Sequence, residues 1–314
     1  MRDRHTFHEH TEDQIAAGIG PGRLDIAYQR LGEPDAPALL LIIGLACQSI
    51  HWPDSFCNLL LAAGMQVIRF DNRDAGLSTH LHEAPAPNLP AVLEGDCSSV
   101  SYTLSDMADD TAALLDFLDI PSAHVVGASM GGQIAQTLAI RHPERVRSLT
   151  SLMATTGDRT VGQADAAVMG ELFTGPPPAT RDAVIAQMVR AARIVGSPAF
   201  PAIEGDVAAR AGRAYDRSYD LAGIGRQAVA TVASGDRTEQ LRQLRMPTLV
   251  IHGLADRMCA ASGGQATAEA IPGAELWLVE GMGHDLPTAL QPAVAARIAA
   301  LVRRAEEECR ADRT

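Results

Sequence analysis

The chain has 314 residues, 46% hydrophobic and 20% charged, which fits one large globular α/β domain or a core with an inserted lid, and excludes a disordered or fibrous chain. Its formal charge of −12 repels a phosphate backbone and its arginines are scattered, so nucleic acid is not an expected partner. The chain contains no lysine, which excludes a Schiff-base lysine, a Ser-Lys dyad and a Lys-bearing phosphate loop.

The polar start Met1-Arg2-Asp3-Arg4-His5 is not followed by an apolar signal region, and apolar runs such as 38–45 are too short to cross a bilayer. A cytoplasmic protein without a membrane partner is expected. Cys47, Cys57, Cys97, Cys259 and Cys309 are odd in number, irregularly spaced and without a Cys-x-x-Cys pair, so free thiols are expected, with neither a disulfide framework nor a zinc site. The tail 1–11 carries His5, His8 and His10 and reads as a frayed terminus with no function.

Leu24-Asp25-Ile26-Ala27-Tyr28 alternates like a half-wet antiparallel strand, with 14–17 as its partner, before the turn Gly32-Glu33-Pro34-Asp35. Ala38-Leu39-Leu40-Leu41-Ile42-Ile43 is continuously apolar, as a strand buried on both faces must be, and runs into Gly44-Leu45-Ala46. A helix over 53–63 follows, then a strand over 65–70, a Pro-rich loop over 84–90 and a helix over 105–118 capped by Ser105. The apolar run 123–128 and the helical 130–139 come next, His142-Pro143 stops the helix, and 146–153 is a strand. Strand–helix alternation of this kind builds a mostly parallel, doubly wound sheet whose ligands bind beyond the carboxyl ends of the strands.

From 157 to 239 the pattern changes to helices over 165–173, 180–194, 207–219 and 227–232, punctuated by Gly175-Pro176-Pro177-Pro178 and Ser197-Pro198-Ala199-Phe200-Pro201. The expectation is a helical cap over 157–239 inserted into a core made of 1–156 and 240–314, shaping a pocket and excluding water. The core resumes with strands over 247–252 and 275–279, and Val294, Ile298, Leu301 and Val302 form one apolar face of a closing helix.

Gly127-Ala128-Ser129-Met130-Gly131 sits between strand and helix, the context in which Gly-x-Ser-x-Gly forms a strained turn that pushes the serine hydroxyl out of the sheet. Side chains at Gly127 or Gly131 would collide with neighbouring strand and helix. The Met130 N–H then lies at a helix N-terminus, where peptide dipoles favour a developing negative charge. Serine needs a base, and the base needs an acid to fix its tautomer. Asp256 and His284 each follow a late core strand, in the Ser…Asp…His order the elbow requires. Asp256 alone would serve as a helix cap and His284 alone as a loop histidine; their joint placement favours chemistry. His252, at a strand end, is expected to be buried or to act behind the site. The second oxyanion donor is assigned to the Leu45 N–H, with Gly44 allowing close backbone approach.

These marks, with Asp71-Asn72-Arg73-Asp74-Ala75-Gly76-Leu77-Ser78, His252-Gly253-Leu254-Ala255-Asp256 and Gly281-Met282-Gly283-His284, make the chain resemble the α/β-hydrolase fold family from about 24 to 300. Ile43-Gly44-Leu45, Trp52-Pro53 and Ser129-Met130 look like capped esterases that include methylesterases of aromatic polyketide biosynthesis. The resemblance implies a serine esterase acting on a small, moderately apolar ester, with no metal or organic cofactor, and leaves a homo-oligomer open. It also marks a departure: Ile43 stands where many relatives carry histidine, so the oxyanion loop needs other support. The 71–78 turn is implied to be a structural brace, with neither Asp71 nor Asp74 catalytic. Lactone hydrolysis, carbon–carbon bond hydrolysis and cofactor-free perhydrolysis fit the same triad. A haloalkane dehalogenase is disfavoured because Ser129 stands where a carboxylate is needed, and a non-catalytic binding protein would have no use for Asp256 and His284.

Overall fold

The computed structural model describes residues 6–8, 11–172 and 177–311. His5 and His10 of the tail, Phe173 at an expected helix end, and Gly175 and Pro176 lie outside the described residues.

Eight strands form one sheet: β1 (Gln14–Ile19), β2 (Leu24–Leu31), β3 (Ala38–Ile42), β4 (Gln66–Phe70), β5 (Ala123–Ala128), β6 (Val146–Leu152), β7 (Thr248–Gly253) and β8 (Glu275–Val279). Their spatial order is β1-β2-β4-β3-β5-β6-β7-β8. β1 and β2 pair antiparallel and β2 meets β4 antiparallel, while all pairs from β4 to β8 are parallel. In register, Leu40 lies between Ile68 and Val125, and Gly127 between Ile42 and Ser151.

α1 (Asp54–Ala62), α2 (Leu89–Leu93), α3 (Leu104–Phe117) and α4 (Met130–Arg141) alternate with the early strands. Between β6 and β7 come α5 (Ala166–Leu172), α6 (Arg181–Val195), α7 (Glu204–Arg217), α8 (Leu221–Ala233) and α9 (Thr238–Leu241), a helical insertion with no strand among its described residues. α10 (Ser262–Ala270) and α11 (Gln291–Ala311) complete the chain. Alternate residues of β3 feed two cores: Leu40 and Ile42 pack with residues of α3 and α4, and Leu39 and Leu41 with residues of α1 and α11. Both faces of the central strands are thus covered, which is why they read as unbroken apolar runs. Val294, Ile298, Leu301 and Val302 are all buried. No helix among the described residues is long and apolar enough to cross a membrane.

Two local expectations are corrected. α3 begins at Leu104, not at 105, and its cap is Thr103, which forms a reciprocal box with Asp106; a Thr with an acid three residues on satisfies two orphan helix donors at once, which Ser105 cannot do from inside the first turn. The Pro-rich loop gives way to the short helix α2, because Asn88 caps Ala91 N–H and Pro90 sits in the first turn, where a missing N–H costs nothing.

Candidate active site

The turn between β5 and α4 is built by exclusion. A Cβ at Gly127 would run into the Gly131 carbonyl, and one at Gly131 into the Ile42 carbonyl of β3. Strand and helix can meet this closely only as glycine backbone. Ser129 is left at φ 56° and ψ −123°, a region L residues avoid. Its N–H is tied to Leu152 O at 2.9 Å and its carbonyl accepts from Gln133 N–H at 3.1 Å, so the strained residue is gripped from both sides.

Asp256 and His284 arrive from the loops after β7 and β8, which are stitched together by Leu254 N–H to Val279 O and Ala255 N–H to Met282 O, both 2.9 Å. His284 Nδ1–H donates to Asp256 Oδ2 at 2.7 Å, and Ser129 Oγ lies 3.0 Å from His284 Nε2. A carboxylate can only accept, so Nδ1 carries the proton and Nε2 presents its lone pair to the serine. Asp256 Oδ1 accepts from Met258 N–H at 2.9 Å and Cys259 N–H at 2.8 Å. Burial of Asp256 opposes its charge, but the bonds from His252, His284 and Cys259 outweigh that and hold its pKa at about 2. It is ionised at neutral pH.

His252 is fully buried; its Nε2 lies 2.7 Å from Cys259 O and 3.4 Å from Asp256 Oδ2. It flanks the acid from behind and does not replace His284. His124 bonds Ser148 and Glu306, His142 bonds Asp109, and His80 bonds Asp220, so each has structural work elsewhere.

Gly44 brings the loop after β3 against the elbow: a Cβ there would stand 3.1 Å from Ser129 Cβ and 3.7 Å from its Oγ. Leu45 follows Gly44 and Met130 follows Ser129, and among the described residues neither N–H donates a hydrogen bond. The 71–78 turn supports the loop. Asp71, fully buried, accepts from Ser49 N–H at 2.6 Å and Leu77 N–H at 3.0 Å, and Asp74 binds Arg226.

The helical insertion touches both halves of the site. Val195 O accepts from His284 N–H at 2.7 Å, and Ser197 Oγ from Gly283 N–H at 2.8 Å. On the other side Gln227 accepts from Ala46 N–H at 3.2 Å. Between insertion and strand ends lies a cavity of about 840 Å³ whose walls include Ala46, His51, Val184, Ala211, Tyr215 and Ile224. Neither Ser129 nor His284 is among its lining residues; Ala46, the neighbour of Leu45, is. Asp74, His80 and Asp220 come close enough to hold a metal ion, but Arg226 already forks onto Asp74 at 2.7 and 2.8 Å and His80 binds Asp220 at 2.9 Å, which occupies those groups with one another.

Asn72, part of the 71–78 brace, holds Ile43 O at 3.0 Å, whereas sequence reasoning missed Gln227 and Arg226. No short motif announces these two, because their partners are distant in sequence; the Ile43 departure was the one signal that a substitute brace was needed.

The model of the alpha/beta hydrolase fold family matches residues 37–287. Similar proteins include rhodomycin D methylesterase DnrP of Streptomyces peucetius, 30% identical over 297 residues that cover 88% of this chain and 94% of that protein. Rhodomycin D methylesterase DauP of Streptomyces sp. (strain C5) is 29% identical, with the same 88% and 94% coverage. A thermophilic esterase of Thermogutta terrifontis superposes with a TM-score of 0.69 at 21% identity, over 94% of this chain and 99% of that one. With the family match spanning most of the sheet and both late loops, the chain belongs to the alpha/beta hydrolase fold family.

Proposed function

We propose that the chain hydrolyses carboxylic esters through an acyl-enzyme on Ser129. The observation that carries this reading is the continuous relay Ser129 Oγ to His284 Nε2 at 3.0 Å and His284 Nδ1 to Asp256 Oδ2 at 2.7 Å. His284 takes the Ser129 proton as Oγ attacks the ester carbonyl, and Asp256 stabilises the imidazolium that results. The tetrahedral oxyanion is received by the Leu45 and Met130 N–H groups, each worth roughly 3 kcal/mol by analogy with deletions of single oxyanion donors. Collapse expels the alcohol, which takes the proton from His284. A water deprotonated by His284 then attacks the acyl carbon, and the acid leaves as Ser129 recovers its proton.

The insertion at 157–239 acts as the cap of this site. Its cavity, walled largely by aliphatic and tyrosyl side chains, suits a bulky, moderately apolar acyl group. The two methylesterase relatives support a methyl ester, with methanol as the small leaving group. The five cysteines are free, in keeping with action in the reducing cytoplasm.

The test is turnover of p-nitrophenyl and methyl esters beside fluorophosphonate labelling read by intact mass. Ser129→Ala and His284→Ala are each expected to lower kcat by on the order of 10⁴–10⁶ and to abolish labelling. A folded Ser129→Ala protein that keeps most of its activity would falsify the reading.

A further inference from the structure

The loop that carries the Leu45 N–H has an unusual conformation and an unusual support. Gly44 to Cys47 form a tight turn closed by Cys47 N–H to Gly44 O at 3.3 Å, and Ala46, its third residue, has a φ of 60°. A positive φ at that position is the pattern of a type II turn, where glycine is usual and an L side chain is strained. Rotating the central Leu45–Ala46 peptide by about 180° would give the type I turn and relieve Ala46. The turn therefore needs a partner on the Ala46 N–H, and Ile43-Gly44 carries no side chain that could supply one.

Gln227, 181 residues away on α8 and fully buried, supplies it. Its Oε1 accepts from Ala46 N–H at 3.2 Å while its Nε2 donates to Arg73 O at 2.8 Å. The two bonds fix the amide's orientation, because a flipped amide would set oxygen against the Arg73 carbonyl and NH₂ against the Ala46 N–H. The neighbouring Arg226 forks onto Asp74 at 2.7 and 2.8 Å, which anchors this turn of α8 to the same strand-end loops. Asn72 Nδ2 holds the other end of the loop through Ile43 O at 3.0 Å. A flip of the central peptide alone keeps the Gly44 O closure and leaves the Leu45 N–H in place, but Gly44 O belongs to the same peptide plane as the Leu45 N–H, so opening of the strained turn frees the direction of that donor.

We propose that Gln227 is a positioning residue that pins the Ala46 N–H, keeps the Gly44–Cys47 turn closed around its strained third residue and thereby aims the Leu45 N–H; this rests on Leu45 serving as an oxyanion donor. Seating of α8 and completion of the oxyanion site are then one event. Gln227 touches no reacting atom.

The test is a double-mutant cycle on p-nitrophenyl butyrate hydrolysis, with circular dichroism to follow folding. Gln227→Ala is expected to lower kcat about ten-fold with KM within about two-fold, less than deletion of a donor itself, because the donor is misaimed and not removed. Ala46→Gly removes the strain that drives the turn out of its closed conformation, so the double variant recovers at least about three-fold of that loss. A cap-packing role alone leaves the two effects additive, and additivity overturns the proposal. Where Gln227→Ala does not fold, Gln227→Glu decides: the neutral acid reproduces both bonds and the carboxylate opposes Arg73 O, so kcat gains a new descending limb as pH rises. A pH profile identical to wild type overturns the proposal. Wild-type protein that neither turns over the ester nor labels at Ser129 removes the esterase reading and this proposal together, whereas an active wild type matched by Gln227→Ala removes this proposal alone.

Discussion

The elbow and the seam under the helical insertion lie within a few residues of each other and are held by opposite means. At the elbow, Gly127 and Gly131 admit no side chain and the strained Ser129 backbone is tied to Leu152 O and Gln133 N–H, backbone to backbone. At the seam, buried charges and amides carry the contact: Arg217 on Asp71, Arg226 on Asp74, and Gln48 Nε2 on Ala214 O at 2.7 Å. Steric closure is indifferent to salt and pH and fails all at once. Polar seating is graded, tunable and separable from the folding of the sheet. One region sets where the nucleophile stands, the other ties the insertion to the strand-end loops.

The largest effect is expected where closure is steric. Gly131→Ala forces a methyl into the Ile42 carbonyl, so β3 and α4 must part; we expect a loss of about 4 kcal/mol or more, or no folded protein. Urea unfolding measures it. A loss below about 1 kcal/mol would mean that the elbow yields, and the contrast with the seam would collapse.

Arg226→Met tests the seam. It leaves Asp74, 2% exposed, without its cation but still bonded to Tyr102 OH at 2.8 Å and Leu81 N–H at 2.8 Å. Breaking a buried pair from one side costs about 3 kcal/mol. The cost is expected to appear as faster proteolysis between 157 and 239 while the core stays resistant. Whole-chain unfolding in one step, with no selective cleavage, would show that the insertion and sheet are a single cooperative unit.

Much of this was legible in the sequence, for physical reasons that also mark the limit. β3, β5 and the α11 stripe are local patterns, and burial on two faces or one writes itself into residue type. Ser129, Asp256 and His284 could be singled out because strand ends bring them to one edge, and the structure sets them within hydrogen-bond reach of one another. The Thr103 cap was missed although its box with Asp106 is local; Ser105 looked equivalent until the first turn was placed. Arg226 and Gln227 belong to another class. Their partners lie in the core, more than 150 residues away in sequence, and an arginine or glutamine on a helix carries no sign of which group it will meet. The Ile43 departure showed that support was missing, not where it would come from.

The smallest expected effect separates the two regions by pH. His51 borders the cavity and the seam; burial lowers its pKa to about 4 from 6.5, the Arg210 and Arg217 charges push it the same way, and the Gln48 backbone and Asp71 oppose them. Gln48 N–H lies 3.0 Å from Nδ1, a bond that only the unprotonated nitrogen can accept. Because the folded pKa lies below the unfolded one, the unfolded chain takes up the proton first as the solution is acidified. The stabilisation is complete above pH 6.5, is lost progressively between 6.5 and 4, and changes no further below that. Asp256 acts in the same direction but lower, its contribution present above the unfolded carboxyl range and lost only as pH falls toward 2. Between pH 7.5 and 5 the loss at His51 is about 1 kcal/mol after allowance for its partial exposure, or about 2 °C in Tm for a chain of this size. His51→Asn, neutral throughout, should therefore show a Tm drop over that interval smaller by about 2 °C than wild type. The loosening should fall on the insertion, since a protonated His51 faces Arg210 and Arg217 of α7. Equal Tm drops in the two proteins would remove His51 from the seam's pH response and leave the polar contacts around it as graded by salt alone.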